Sequence, residues 1–303
     1  MTQPPNAPWR RRGPRQQFPG VPAWGAPTMA ISPEPFDVVR HAAVTPRWAW
    51  GGADGGGVRA CVVDTGVDGK HPMVGRVDRA TTVAEASDGT VCIEDTPAVD
   101  RIGHGTACAG IIRSLAPAVS LSSVRVLTDG KTGSGQALLT GLAWAIDEGY
   151  DIINLSISTV RSEYCLPLYE LADRAYFSRC TLVVSAHNMP VRSFPWTYAS
   201  VISVASHNEP DSMVFHYNPS PPVEFYARGV NVPVAWPGSG QVRSTGNSFA
   251  APHIAGICAL VLSKHRWLTP FQLKSVLYLT ATNVVAGAGG VSGGPTRFST
   301  PIQ

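Results

Sequence analysis

A chain of 303 residues with 44% hydrophobic and 15% charged side chains can bury a sizeable core, which excludes a highly charged disordered protein. Its net charge of +3 has a local origin: removing Arg10, Arg11, Arg12 and Arg15 from the 24 basic residues leaves 20 against 21 acidic ones. The body therefore offers no charge-based case for binding nucleic acid, and the longest apolar run, residues 254–262, is far too short to span a bilayer.

In chain order, residues 1–35 are rich in proline, contain RRRGPR and hold no acidic residue before Glu34. That composition cannot pack a core and predicts a disordered, solvated tail. Met1 is followed by polar and proline-rich sequence, with no basic start and apolar core of a secretory signal, so the expectation is a soluble, cytoplasmic protein. Continuous apolar stretches predict strands at 58–63, 121–127, 152–157, 181–186 and 201–205. Helices are expected at about 104–113, 136–148, 166–179, 248–265 and 270–280. Thr269, Pro270 and Gln272 give the last helix a capping-box start. Strand and helix alternate, the signature of an α/β protein whose parallel sheet is covered on both faces. The reading divides the chain into a tail at 1–35, one domain at 36–285 and a flexible end at 286–303; no internal repeat is found.

Three segments carry chemistry: Asp64 in VVDTGVD, His104 in GHGTACAG and Ser248 in TGNSFAAPHIAG. A serine hydroxyl becomes a useful nucleophile when an imidazole takes its proton, and the imidazole needs a carboxylate to fix its tautomer. Taken singly, DTG after an apolar run also reads as a strand ending in a turn, and HGTACAG as a buried helix start. In combination, Asp64 follows its strand while His104 and Ser248 open helices, so all three can meet at the carboxyl edge of the sheet, where such folds place their sites.

These segments, in the order Asp, His, Ser, resemble the subtilisin-like serine proteases, over about residues 40–285. The resemblance implies a subtilisin-like three-layer fold with a mostly parallel central sheet flanked by helices. It also implies a serine endopeptidase that cleaves peptide bonds through an acyl-enzyme on Asp64, His104 and Ser248. Residues 125–158 resemble the family segment whose two edges hold an extended substrate, which makes Gly133, Ser134, Gly135, Ser156, Ile157 and Ser158 candidate substrate-binding residues, joined by His187. TLVVSAHN at 181–188 resembles the strand ending in the oxyanion asparagine, so Asn188 is the candidate donor together with the Ser248 N–H; the alternative is an Asn188 that caps a turn before Pro190. A peptide or protein substrate is the expected partner, with no cofactor, metal, nucleic acid or membrane, and the oligomeric state is left open.

Within that class, a processing protease that trims a leader from a peptide precursor is the leading version. Acyl transfer to an amine by the same residues, as in macrocyclisation, and a non-catalytic binding protein on this scaffold remain the alternatives. Secreted members of the family usually carry a signal and a folded propeptide; with about sixty residues before Asp64, the expectation is either folding without such a segment or a sequence from which it is missing.

Departures from the family pattern sharpen the expectations. The residue after HGT is Ala107, and Asn247 replaces the threonine before the nucleophile, where its amide could reach the oxyanion. A segment that often supplies a calcium carboxylate reads His71, Pro72, Met73, and a thioether is a poor calcium ligand. His187 and Ser158 stand where glycines usually leave room, so small or hydrogen-bonding side chains are expected before the cut, and large aromatic ones disfavoured. His71, in a His-Pro turn, reads as structural. Of six cysteines, Cys61, Cys108 and Cys258 read as small buried hydrophobes. A Cys165–Cys180 bridge is rejected, because the intervening helix would hold their ends about 20 Å apart.

Overall fold

The computed structural model describes residues 44–85, 91–127 and 134–285. The expected tails at 1–35 and 286–303, and the candidate Gly133, lie outside these. After a short helix, α1 (Pro46–Trp50), come β1 (Arg59–Asp64), β2 (Arg79–Glu85), β3 (Val91–Asp95), α2 (His104–Leu115), β4 (Ser120–Arg125), α3 (Gly135–Asp147), β5 (Ile152–Leu155), α4 (Cys165–Phe177), β6 (Thr181–Ser185) and β7 (Ile202–His207). The chain continues with β8 (Phe215–Tyr217), β9 (Phe225–Arg228), β10 (Val232–Trp236), β11 (Gly240–Ser244), α5 (Asn247–Lys264) and α6 (Pro270–Thr280).

Nine strands form one sheet in the order β3-β2-β4-β1-β5-β6-β7-β9-β8, parallel except for the β2–β3 and β8–β9 pairs at its two margins. β1, β5 and β6 read as continuous apolar runs because both of their faces are covered. On one side, α2, α5 and α6 enclose a core that includes Val62, Ile112, Ile254 and Leu277. On the other, α3 and α4 pack through Leu142, Ala172 and Leu168 against Val63, Ile153 and Leu182. α5 is apolar all round, being buried from Ser248 to Leu262 between the sheet and its neighbours.

The expected helices are all present with ends shifted by one or two residues, and Thr269 and Gln272 form the reciprocal capping box. The strands at both margins were missed, as were α1 and the β10–β11 hairpin. β2 and β3 lie at a margin where β3 is largely exposed, so they lack the continuous apolar run that marked β1. All six cysteines are free, Cys165 opening α4 and Cys180 lying three residues beyond its end.

Candidate active site

Asp64 ends β1 with no exposed surface. Its Oδ1 accepts the Thr65 N–H at 2.8 Å and lies 2.8 Å from His104 Nδ1, while Oδ2 is buried without a partner among the described residues. A carboxylate in that position holds the imidazole proton on Nδ1 and leaves Nε2 as an acceptor.

His104 is the first residue of α2, and the start of that helix is tied down by Asp100. Asp100 Oδ1 accepts from the N–H groups of Ile102 and Gly103 at 3.0 and 2.8 Å, and Oδ2 from the N–H and hydroxyl of Thr106 at 2.9 and 2.7 Å. One buried carboxylate thus satisfies helix-start donors that would otherwise be orphaned. Gly105 allows the close approach: a Cβ there would lie 2.0 Å from the Gly66 carbonyl oxygen. Burial opposes protonation of His104, but the charge of Asp64, its hydrogen bond and the more distant Asp100 outweigh it, so the imidazole pKa lies above its usual value.

Ser248 is the second residue of α5 and is 9% exposed. Four residues on, Pro252 has no N–H with which to close the helical bond to the Ser248 carbonyl. That oxygen instead accepts from Ser156 Oγ at 3.0 Å and from Cys108 Sγ at 3.5 Å, with Asn154 Nδ2 donating to Ser156 Oγ at 3.1 Å. The hydroxyl of Ser156, a candidate substrate-binding group, is therefore engaged in positioning the backbone of Ser248.

Asn188 follows β6 on the exposed edge of the site. Its Oδ1 accepts the Asn247 N–H at 2.8 Å, which identifies the other amide atom, Nδ2, as the one free to donate. The expectation that the Asn247 amide reaches the oxyanion is corrected: its Nδ2 donates to the His187 carbonyl at 3.1 Å and its Oδ1 accepts the Ser206 N–H at 2.9 Å. Asn247 acts as a brace between the loop carrying His187 and Asn188 and β7.

His104, Ser248 and Asn188 line one open cleft of about 1020 Å3, with Ser134, Gly135, Ser156, Ile157, Ser158 and His187. The Tyr164 ring packs on Gly135 so closely that a Cβ there would lie 2.1 Å from the ring. His187 Nδ1 accepts the Met189 N–H at 3.0 Å, and the residue also borders a neighbouring cavity of about 580 Å3 shared with Met189, Val191, Trp196 and Val223. Ser158 meets the buried Ser193, Oγ to Oγ, at 3.0 Å, and Ser193 accepts from Trp196 Nε1 at 2.8 Å. Ser193, Trp196 and Asp100 escaped sequence reasoning, because none lies in a segment whose spacing signals a site.

His71 stands apart from this group: its Nε2 faces the Gly240 carbonyl at 2.9 Å and its Nδ1 accepts the Met73 N–H at 3.1 Å, tying a turn to β11. Met73 Sδ accepts from Gln241 Nε2 at 3.6 Å, so the side chain at that position does not fit a calcium ion. Among the described residues, one group of metal-binding side-chain types converges, Asp64, His104 and Cys108, and the first two are already bonded to each other. Burial, chiefly, holds the Cys108 thiol well above its usual pKa, the wrong direction for a thiolate ligand.

A serine at a helix start, an imidazole bound to a buried carboxylate and a free amide donor, gathered at the carboxyl edge of a parallel sheet, form the constellation of a serine hydrolase. The Subtilase family model matches residues 55–294. Subtilisin DY of Bacillus licheniformis is 31% identical over 248 residues, 77% of this chain and 86% of that protein. Subtilisin E of Bacillus subtilis (strain 168) is 31% identical over 76% of this chain, which spans 62% of its length. Among solved structures, a cold-adapted subtilisin-like serine proteinase matches with a TM-score of 0.61 and 26% identity, over 76% of this chain and 86% of that one. The chain belongs to the subtilase family and is a subtilisin-like serine endopeptidase.

Proposed function

We propose that Ser248 is the nucleophile of this peptidase, His104 its general base and then acid, and Asp64 the group that orients and stabilises the imidazolium. The observation that carries the assignment is the 2.8 Å contact of His104 Nδ1 with the buried Asp64 carboxylate, in a site where His104 and Ser248 line the same cleft. Ser248 attacks the substrate carbonyl as its proton passes to His104 Nε2. Asn188 Nδ2 and the Ser248 N–H hold the oxyanion, and His104 then protonates the leaving amine. Water repeats the sequence in reverse to release the acid. Fluorophosphonate labelling tests the reading: the wild type takes up the probe and Ser248→Ala does not. A wild type that stays unlabelled beside a reactive control protease overturns it.

The preferred substrate is a peptide precursor within a reducing compartment. Support comes from the six free cysteines and from the side chains of Ser158 and His187 in the cleft, which favour selective trimming over general degradation. Product masses from candidate precursors distinguish hydrolysis, which adds water, from acyl transfer, which does not.

A further inference from the structure

The cleft is rich in donors. Trp196 Nε1 can only donate, so Ser193 Oγ is its acceptor at 2.8 Å. Ser193 is fully buried, and its own hydroxyl proton goes to Ser158 Oγ, 3.0 Å away. The relay therefore runs from Trp196 through Ser193 to Ser158, leaving the Ser158 hydroxyl proton to point elsewhere, and Ser158 lines the cleft. His187 Nδ1 lies 3.0 Å from the Met189 nitrogen and 3.2 Å from the Met189 carbonyl oxygen; in the tautomer that accepts the N–H, the ring proton is on Nε2. Arg161 completes the set. It is the one fully charged residue among the described residues lining the cleft, its guanidinium makes no hydrogen bond to a described residue, and it forms a loose, solvent-exposed ion pair with Glu163 at 3.7 Å, the weak kind that a substrate carboxylate can replace. No described acidic residue lines the cleft.

Resting on the protease reading above, we propose that this subsite takes an acidic side chain, glutamate or aspartate, at the substrate residue before the cut, with Ser158, His187 and Arg161 as its donors. A carboxylate has lone pairs enough for all three and offers no proton to compete with them, and charge-assisted bonds are the stronger kind. An amide of the same shape gives up the charge and spends part of its capacity on donors that find no acceptor. This goes beyond a preference for small or hydrogen-bonding side chains: it selects the acid over its own amide.

The test is protection of the protein from fluorophosphonate labelling by acetyl-Ala-Ala-Xaa aldehydes with Xaa as Glu, Gln, Lys or Phe. The Glu aldehyde should halve labelling at a concentration at least about tenfold below that of Gln, with Lys and Phe weaker still, and the Glu–Gln gap should narrow with added salt because Arg161 is exposed. Arg161→Glu should invert the order of Glu and Lys, and Ser158→Ala should weaken Glu and Gln together relative to Phe, with melting temperature confirming that each variant is folded. Equal protection by Glu and Gln in the wild type, or an unchanged order in Arg161→Glu, overturns the inference while leaving the protease reading in place. A wild type that takes up no probe overturns both.

Discussion

The carbonyl of Ser248 is held by the hydroxyl of Ser156, 3.0 Å away, in place of the helical N–H that Pro252 lacks. Ser156→Ala leaves that carbonyl with the weaker Cys108 thiol, and the expected cost is about 1–3 kcal/mol of stability together with reduced turnover. Pro252→Ala restores an N–H in the helix, so the double variant should be less destabilised than the two singles combined. Denaturant unfolding of the four proteins measures the coupling, and strict additivity would contradict the account.

Asn188→Ala removes the amide whose Nδ2 is left free by the Asn247 N–H. Turnover should fall about 10²–10³-fold, the loss known for this type of donor in subtilisin itself, with little change in substrate binding. Asn247→Ala, which frees the His187 carbonyl and the Ser206 N–H, should also slow turnover while lowering stability. Steady-state kinetics beside thermal melts separate the two roles.

If His104 is the general base, as proposed, the acid limb of activity reports it, since it must be neutral to accept the serine proton. Because the nearby carboxylates raise its pKa above 6.5, kcat/KM should climb with pH through a value above 6.5. Asp100→Asn removes one of the raising charges, so the limb should move to lower pH. The same shift implies that the stabilisation from His104 is fully present below its unfolded pKa and is lost as pH rises through the folded one. A kcat/KM profile of wild type and variant checks the direction.

Gly105→Ala is expected to abolish measurable activity, since its Cβ would fall 2.0 Å from the Gly66 oxygen and 3.2 Å from Asp64 Cβ. α2 must then retreat from β1 and carry the His104 ring away from the carboxylate. Loss of fluorophosphonate labelling, with the far-ultraviolet circular dichroism retained, is the signature of that displacement.

His187 forms the shared wall between the active-site cleft and the neighbouring cavity lined by Met189, Val191 and Trp196. His187→Gly should join the two and raise cleavage after phenylalanine relative to alanine. A peptide library cleaved identically by both proteins would show that the wall does not limit the pocket.

The central strands and the meeting of Asp64, His104 and Ser248 at one sheet edge are legible because the cause of each is local. β1, β5 and β6 are covered on both faces and show it as unbroken apolar runs, and small residues crowd Asp64, His104 and Ser248 because helix and strand approach closely there. β8 and β9 gave no such signal, being short strands at a margin with partly exposed residues. Asp100 was missed because its carboxylate serves a helix that begins four residues later, and the relay from Trp196 to Ser158 because it joins two loops remote in sequence. Asn247 was placed in the right neighbourhood, but its amide is spent on His187 and Ser206, partners that only the folded chain brings near.

The order of these groups along the chain also governs when a growing polypeptide becomes dangerous. Asp64 and His104 are 40 residues apart, and Ser156 and the Ser248 it supports are 92 apart, with β6, β7 and the β10–β11 hairpin in between. Contacts of such long range form late, after the intervening loops have closed. On the proposed assignment, a ribosome-bound chain that has emerged only as far as β7 has Asp64 and His104 but not Ser248, so it cannot attack its neighbours or itself. The hydrolytic hazard arrives only with α5, when most of the domain that confines it has already been made.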